Sequence, residues 1–188
     1  SYSGSSGSTV KIDTSPDRDL FVYVPDGTFG FTRLKENPNH NVVQNGFYMG
    51  KYEVTQKEWN QYMKPANVSF VGDNLPVDNV SWMNIVRYCN ARSEAEGLTA
   101  AYTILGNTAS SVTCNFKANG YRLPTEAEWE MAAKGGQLYT YSGSDDADEV
   151  AWYRENSGRR YRTVGYQKKP NAYGIYDMTG NVAEWCWD

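Results

Sequence analysis

The segment "YDMTGNVAEW" sets Asp177 and Glu184 seven residues apart across a turn that holds Gly180 and Asn181. Two carboxylates and the backbone carbonyls between them can converge on one point. Hard oxygen donors mixed in that way suit Ca2+, which tolerates irregular geometry. The same spacing also serves a purely structural turn, with Asp177 capping the bend and Glu184 paired to an arginine; the residues alone leave both readings open. Asp145, Asp146, Asp148 and Glu149 form a second acidic group. It is a further candidate for calcium, although acids among Gly and Ser read first as a solvated loop. Arg154, Arg159, Arg160, Arg162, Lys168 and Lys169 are a local basic set interleaved with aromatics. In a chain of net charge -4 with no nucleic-acid motif, this too reads as a solvated loop, and no nucleic-acid partner is expected.

Other chemistry is scarce. The chain has no G-x-S-x-G elbow, P-loop or H-E-x-x-H segment. Cys89, Cys114 and Cys186 are far apart in sequence, lack C-x-x-C spacing, and read as small buried hydrophobes. Cys186 lies between Trp185 and Trp187, where burial would raise its pKa and make it a poor nucleophile. The lone His40, in "NPNHN", reads as a loop residue and not as a catalytic base.

Charged residues make up 21% of the 188 residues, an ordinary globular balance. Aromatics reach 14%, with fifteen Tyr and six Trp, which suits well-packed long loops or a binding surface. No apolar run approaches the roughly 20 residues that cross a bilayer, so no transmembrane segment is expected. No signal segment opens the chain, as would also hold for a processed form.

The elements that must hold these residues begin after a Ser/Gly-rich stretch. Residues 1–15 are expected to be a flexible tether, either a spacer from a membrane surface or an expression remnant, and residues 16–188 a single domain. "LFVYVPDGTFGF" predicts a hairpin, with Leu20 to Val24 and Thr28 to Phe31 joined by Pro25-Asp26-Gly27. Phe47 to Val54 predicts another strand. Capping boxes at Thr55/Glu58 and Thr125/Glu128, and Ser81 before a third apolar stripe, predict three helices. Gly97 and Gly135-Gly136 supply left-handed stops. "AYTIL" and "SVTCNF" predict a short hairpin, and the text after Gly136 has no lasting period. The order predicts an α+β fold with modest regular structure.

"YEVTQKEW", "LPVDNVSW", "YRLPTEAEWEMAAKGG", "AWYRENSG" and "PNAYGIYDMTGNVAEWCWD" together resemble, in order, the signature blocks of the formylglycine-generating enzyme (sulfatase-modifying factor) family. The resemblance runs from about Leu20 to Asp188. It implies an α+β, C-type lectin-like fold low in regular secondary structure. It also implies a calcium loop with side-chain oxygens from Asp177 and Glu184 and carbonyls from Gly180 and Val182. A second calcium site known in the family, around Trp152, lacks clear donors in "AWYRENSGRRYRTVG". Family members continue beyond "EWCWD", and the cysteine pair that binds copper in the enzymes lies in that continuation. No copper is therefore expected on this chain.

Two functions follow from the resemblance. One is a non-catalytic, extracytoplasmic or surface-displayed binding protein with a protein or other surface ligand. It would be a lipoprotein anchored upstream of residue 1, or a variable receptor of a diversity-generating retroelement with its variable part beyond residue 188. The other is the N-terminal portion of a formylglycine-generating oxidase acting on a sulfatase cysteine.

Overall fold

The computed structural model describes residues 17, 19–30 and 41–188. The expectations for the tether and for His40 lie outside the described residues. The first half begins with an antiparallel ribbon in two sections. Strand β1 (Phe21–Val24) pairs with β4 (Phe47–Gly50), and β2 (Gly27–Gly30) pairs with β3 (Asn41–Gln44). This corrects the predicted hairpin: β1 and β2 follow one another along the same side of the ribbon and do not pair. Pro25 and Asp26 interrupt the ladder opposite Asn45 and Gly46, because proline has no N–H to give a neighbouring strand. The predicted strand from Phe47 ends at Gly50, and β3 was not anticipated.

Alternation along β1 and β4 decides which face is covered. Tyr23 and Tyr48 are cross-strand partners on the open face, with ring centroids 5.3 Å apart. Val24, with Val22, Phe47 and Met49, points the other way into a core that includes Met131, Ala132, Ile175 and Met178.

Helix α1 (Gln56–Tyr62) is too short to persist alone and depends on its cap and its neighbour. Thr55 accepts from the Glu58 N–H while Glu58 accepts from the Thr55 N–H. Trp59 is buried and stacks on Tyr88 of α2 (Trp82–Ala95), at 5.1 Å between centroids. Strands β5 (Tyr102–Ile104) and β6 (Val112–Cys114) form the expected hairpin, and Tyr102 and Val112 complete the second core. Helix α3 (Glu126–Lys134) carries the other capping box and stops at Gly135, whose φ is 59°. A short helix, α4 (Ala147–Val150), was not anticipated.

The aromatic tail is woven into the second core. Trp187 stacks on Tyr102 at 5.2 Å and lies 5.3 Å from Trp82, whose indole N–H donates to the Cys186 carbonyl. The Trp187 N–H donates to the Pro124 carbonyl, and Asp188 accepts from the first amide of α3. Residues 186–188 are thereby fixed between the starts of α2 and α3. Among the described residues, no helix is long and apolar enough to cross a membrane.

Candidate functional site

The turn from Asp177 to Glu184 is held by three parts of the chain remote in sequence. Asp177 is buried with a φ of 58°, a left-handed conformation that is uncommon outside glycine. Its Oδ2 accepts from the Gly165 N–H at 2.6 Å, while its buried Oδ1 has no hydrogen-bond partner. Gly180 has a φ of 98°, and a side chain there would collide with the Trp152 backbone. Asn181 makes the densest set of bonds. Its Oδ1 accepts from the Arg162 N–H at 2.8 Å, its amide donates to Glu53 Oε2 at 2.7 Å, and its own N–H donates to the Trp152 carbonyl. Glu184 Oε2 accepts from the Trp129 indole at 2.7 Å, so helix α3 sets the far end of the turn. The arginine partner that a structural turn would have given Glu184 is not found among the described residues.

Glu53 is the member that sequence reasoning missed. It stands 128 residues from Asn181, yet accepts from both the Asn181 side chain and, at 3.2 Å, the Val182 N–H. The only sequence signal was its place in the "YEVT" block. Burial raises the Glu53 carboxyl well above its ordinary value, and the Glu184 and Asp177 charges raise it further; the bonds from Asn181 and Val182 pull the other way. Burial also raises Asp177, against the Gly165 N–H bond. Glu184 is an exposed residue, but the protein packed around its carboxyl, and next the Asp177 charge, push it up to about 7, and its access to water limits that shift.

The Asp177 charge acts on Glu184, both act on Glu53, and the inner oxygen of Asp177 is unsatisfied. A native buried polar atom without a partner calls for a ligand, an ion or water. Among the described residues, no three Asp, Glu, His or Cys side chains converge as a metal cluster. A cation at this turn would therefore need backbone carbonyls as well as Asp177 and Glu184, which is the donor mix expected from the sequence.

The raised carboxyls predict the sign of one pH effect. Groups whose folded pKa exceeds the unfolded value support the fold most fully at low pH, and this support is lost as pH rises through the folded value. In chelator, stability is expected to fall between the ordinary carboxylate value of 4.5 and about 7. Denaturant midpoints measured across that range, with Glu184→Gln alongside, check this: the variant should flatten the fall.

The other candidate groups are accounted for differently. Asp145 accepts from Thr140, Asp146 caps α4, Asp148 accepts from Tyr153 and Asn156, and Glu149 pairs with Lys169. The acidic run is thus spent on local loop bonds. All three cysteines are free. Burial pushes the Cys89 thiol up to about 12 and the Cys186 thiol up to about 11, and raises Cys114 as well.

Comparison with known proteins agrees with this architecture. The family model described as "Sulfatase-modifying factor enzyme 1-like domain" matches residues 8–188. The chaperone protein LppX of Paenibacillus barcinonensis is 42% identical over 216 residues, covering 98% of this chain and 76% of that protein. The formylglycine-generating enzyme of Mycobacterium tuberculosis is 40% identical over 215 residues, covering 87% of this chain and 72% of that enzyme. Among solved structures, Treponema denticola variable protein 1 matches with a TM-score of 0.82 and 33% identity, over 89% of this chain and 72% of that one. The signature blocks, the sparse secondary structure and these matches together establish that the chain belongs to the formylglycine-generating enzyme (sulfatase-modifying factor) family and has its C-type lectin-like α+β fold.

Proposed function

We propose that this chain is a non-catalytic, extracytoplasmic ligand-binding protein whose long loops are tied together by a single Ca2+ ion. The observation that carries the non-catalytic reading is the structural likeness to Treponema denticola variable protein 1; within this chain burial raises all three thiols, which leaves none of them activated as a nucleophile. The likeness to Treponema denticola variable protein 1 supports a receptor role, and with the similarity to the chaperone LppX it supports a place outside the cytoplasm.

The calcium part rests on the unpartnered Asp177 oxygen and the mutual repulsion of the nearby acids. Asp177 and Glu184 would give side-chain oxygens, and Gly180 and Val182 backbone carbonyls. When bound, the ion supplies a divalent charge that offsets this repulsion. Glu53 acts behind the donors: by accepting from Asn181 and Val182 it orients the turn, as outer hydrogen bonds orient metal ligands generally.

The second reading, a portion of a formylglycine-generating oxidase, is favoured by the identity to the Mycobacterium tuberculosis enzyme. The two are separated by supplying the full-length protein with copper, oxygen and a cysteine-containing sulfatase peptide, and following the peptide by mass spectrometry. The binding reading predicts unchanged peptide; conversion of its cysteine to formylglycine would overturn it.

A further inference from the structure

The basic segment after Trp152 is a loop whose Arg154, Arg159 and Arg160 are exposed. It folds around a hollow of about 370 Å3 lined by Arg154, Arg159 and Arg160 together with Tyr153, Ser157 and Tyr161. A second depression, lined by Arg154, Glu155, Gly158 and Arg159, adjoins it. The volume is in the range of small-molecule sites, which begins at about 300 Å3.

The loop is built rigidly. Ser157 is buried and its N–H donates to the Tyr153 carbonyl. Asn156 accepts from the Tyr153 N–H and donates to Asp148 and to the Ala151 carbonyl. The Tyr161 hydroxyl donates to Asp78 at 2.9 Å and accepts from the Phe70 N–H. Arg159 is held at a φ of 61°, directly after Gly158 at 68°. A non-glycine residue in that region persists only where its surroundings dictate it.

The charges are poorly balanced. Arg154, Arg159, Arg160, Arg162, Lys168 and Lys169 face only Glu155 within the same segment, in a chain of net charge -4. Lys169 is paired with Glu149, and Lys168 donates to the Asp148 carbonyl. Arg162 lies behind the hollow, over the Trp152 ring at 5.3 Å. It donates to the Ser157 carbonyl, while its buried Nε has no partner. Arg154, Arg159 and Arg160 are exposed, and among the described residues none forms an ion pair with a carboxylate. Arg160 rests one face on Phe70, at 4.5 Å, which steadies its position.

We propose that this hollow is a binding site for a small hydrophilic molecule carrying a tetrahedral oxyanion, a phosphate monoester or a sulfate ester. Guanidinium forks bond such oxygens in pairs, and the loop that carries the three arginines is already ordered when the anion arrives. This inference names a ligand class for the binding-protein reading and rests on it.

The test is calorimetric titration of the full-length protein, in calcium, with five probes: glucose 6-phosphate, glucose 6-sulfate, glucuronate, glucose and a single-stranded oligonucleotide. The two tetrahedral esters are expected to bind with Kd below about 1 mM, and to bind more tightly than glucuronate or glucose; the stronger ester identifies the source. Arg159→Gln and Arg160→Gln, both exposed and remote from the cores, should each weaken the better ester about tenfold. Lys117→Gln, an exposed charge elsewhere, should leave it unchanged. Failure of both esters, equal binding of glucose, or tighter binding of a single-stranded oligonucleotide would overturn the proposal. Calcium binding is read in the same samples. If it persists when the esters fail, this inference falls and the calcium-tied binding protein stands.

Discussion

Replacing Gly180 with alanine is expected to destabilise the protein by about 2–6 kcal/mol. About 1–3 comes from forcing a side chain into a left-handed backbone and about 1–3 from overpacking against a neighbour that cannot yield. The φ is 98°, and the obstruction is the Trp152 backbone, not a movable side chain. Gly97→Ala is the internal control: its φ is 72°, but nothing lies within 4 Å of the added carbon, so only the backbone cost applies. The check is the pair of denaturant midpoints, with slopes compared to confirm that the same transition is being measured. Equal losses in the two variants would show that the turn is not clamped against Trp152.

The second large effect lies at the start of α3. Glu128 is 4% exposed and accepts from Arg122 Nη1 at 2.6 Å, Arg122 Nη2 at 2.7 Å, the Thr125 N–H at 2.9 Å and the Gln44 side chain at 3.2 Å. It therefore closes the capping box and ties the ribbon to the helix. Glu128→Ala would leave the Arg122 guanidinium, 21% exposed, without its carboxylate; removing one partner of a fully buried pair costs about 3–5 kcal/mol, and this partly buried one should cost about 2–4 kcal/mol. Chemical denaturation is again the measurement. Glu128→Gln, which retains the shape and one acceptor, should cost less.

Much of this arrangement was legible in the amino-acid order, and the failures are specific. The caps were readable because a side chain and an amide three residues apart must meet whatever the rest of the chain does; Thr55, Ser81 and Thr125 all cap as expected. Pro25-Asp26-Gly27 misled because turn chemistry and a ladder interruption use the same residues. Only the partner strand, chosen by burial of Val22, Val24, Phe47 and Met49, separates the two. Asp177 and Glu184 stood out through their spacing. Glu53 was not, since its bonds to Asn181 and Val182 exist only after the chain returns across the ribbon. The arginines after Trp152 read as a solvated face, and Arg154, Arg159 and Arg160 are exposed. The hollow that Arg154, Arg159 and Arg160 share is a property of the folded loop. Asn171, buried and bonded to the Ala132 carbonyl and the Ile175 N–H, was likewise invisible before folding; it fastens the segment leading to Asp177 onto the end of α3.

The most direct measurement is elemental analysis of the full-length protein after equilibration with calcium, paired with thermal unfolding with and without the ion. A single Ca2+ per chain is predicted, and at a hundredfold excess over Kd it should stabilise the native state by about 2.7 kcal/mol. Asp177→Asn and Glu184→Gln should each abolish or sharply weaken both signals. A wild-type protein that retains no calcium and unfolds at the same temperature in chelator, or two variants that keep their full complement of the ion, would contradict the account.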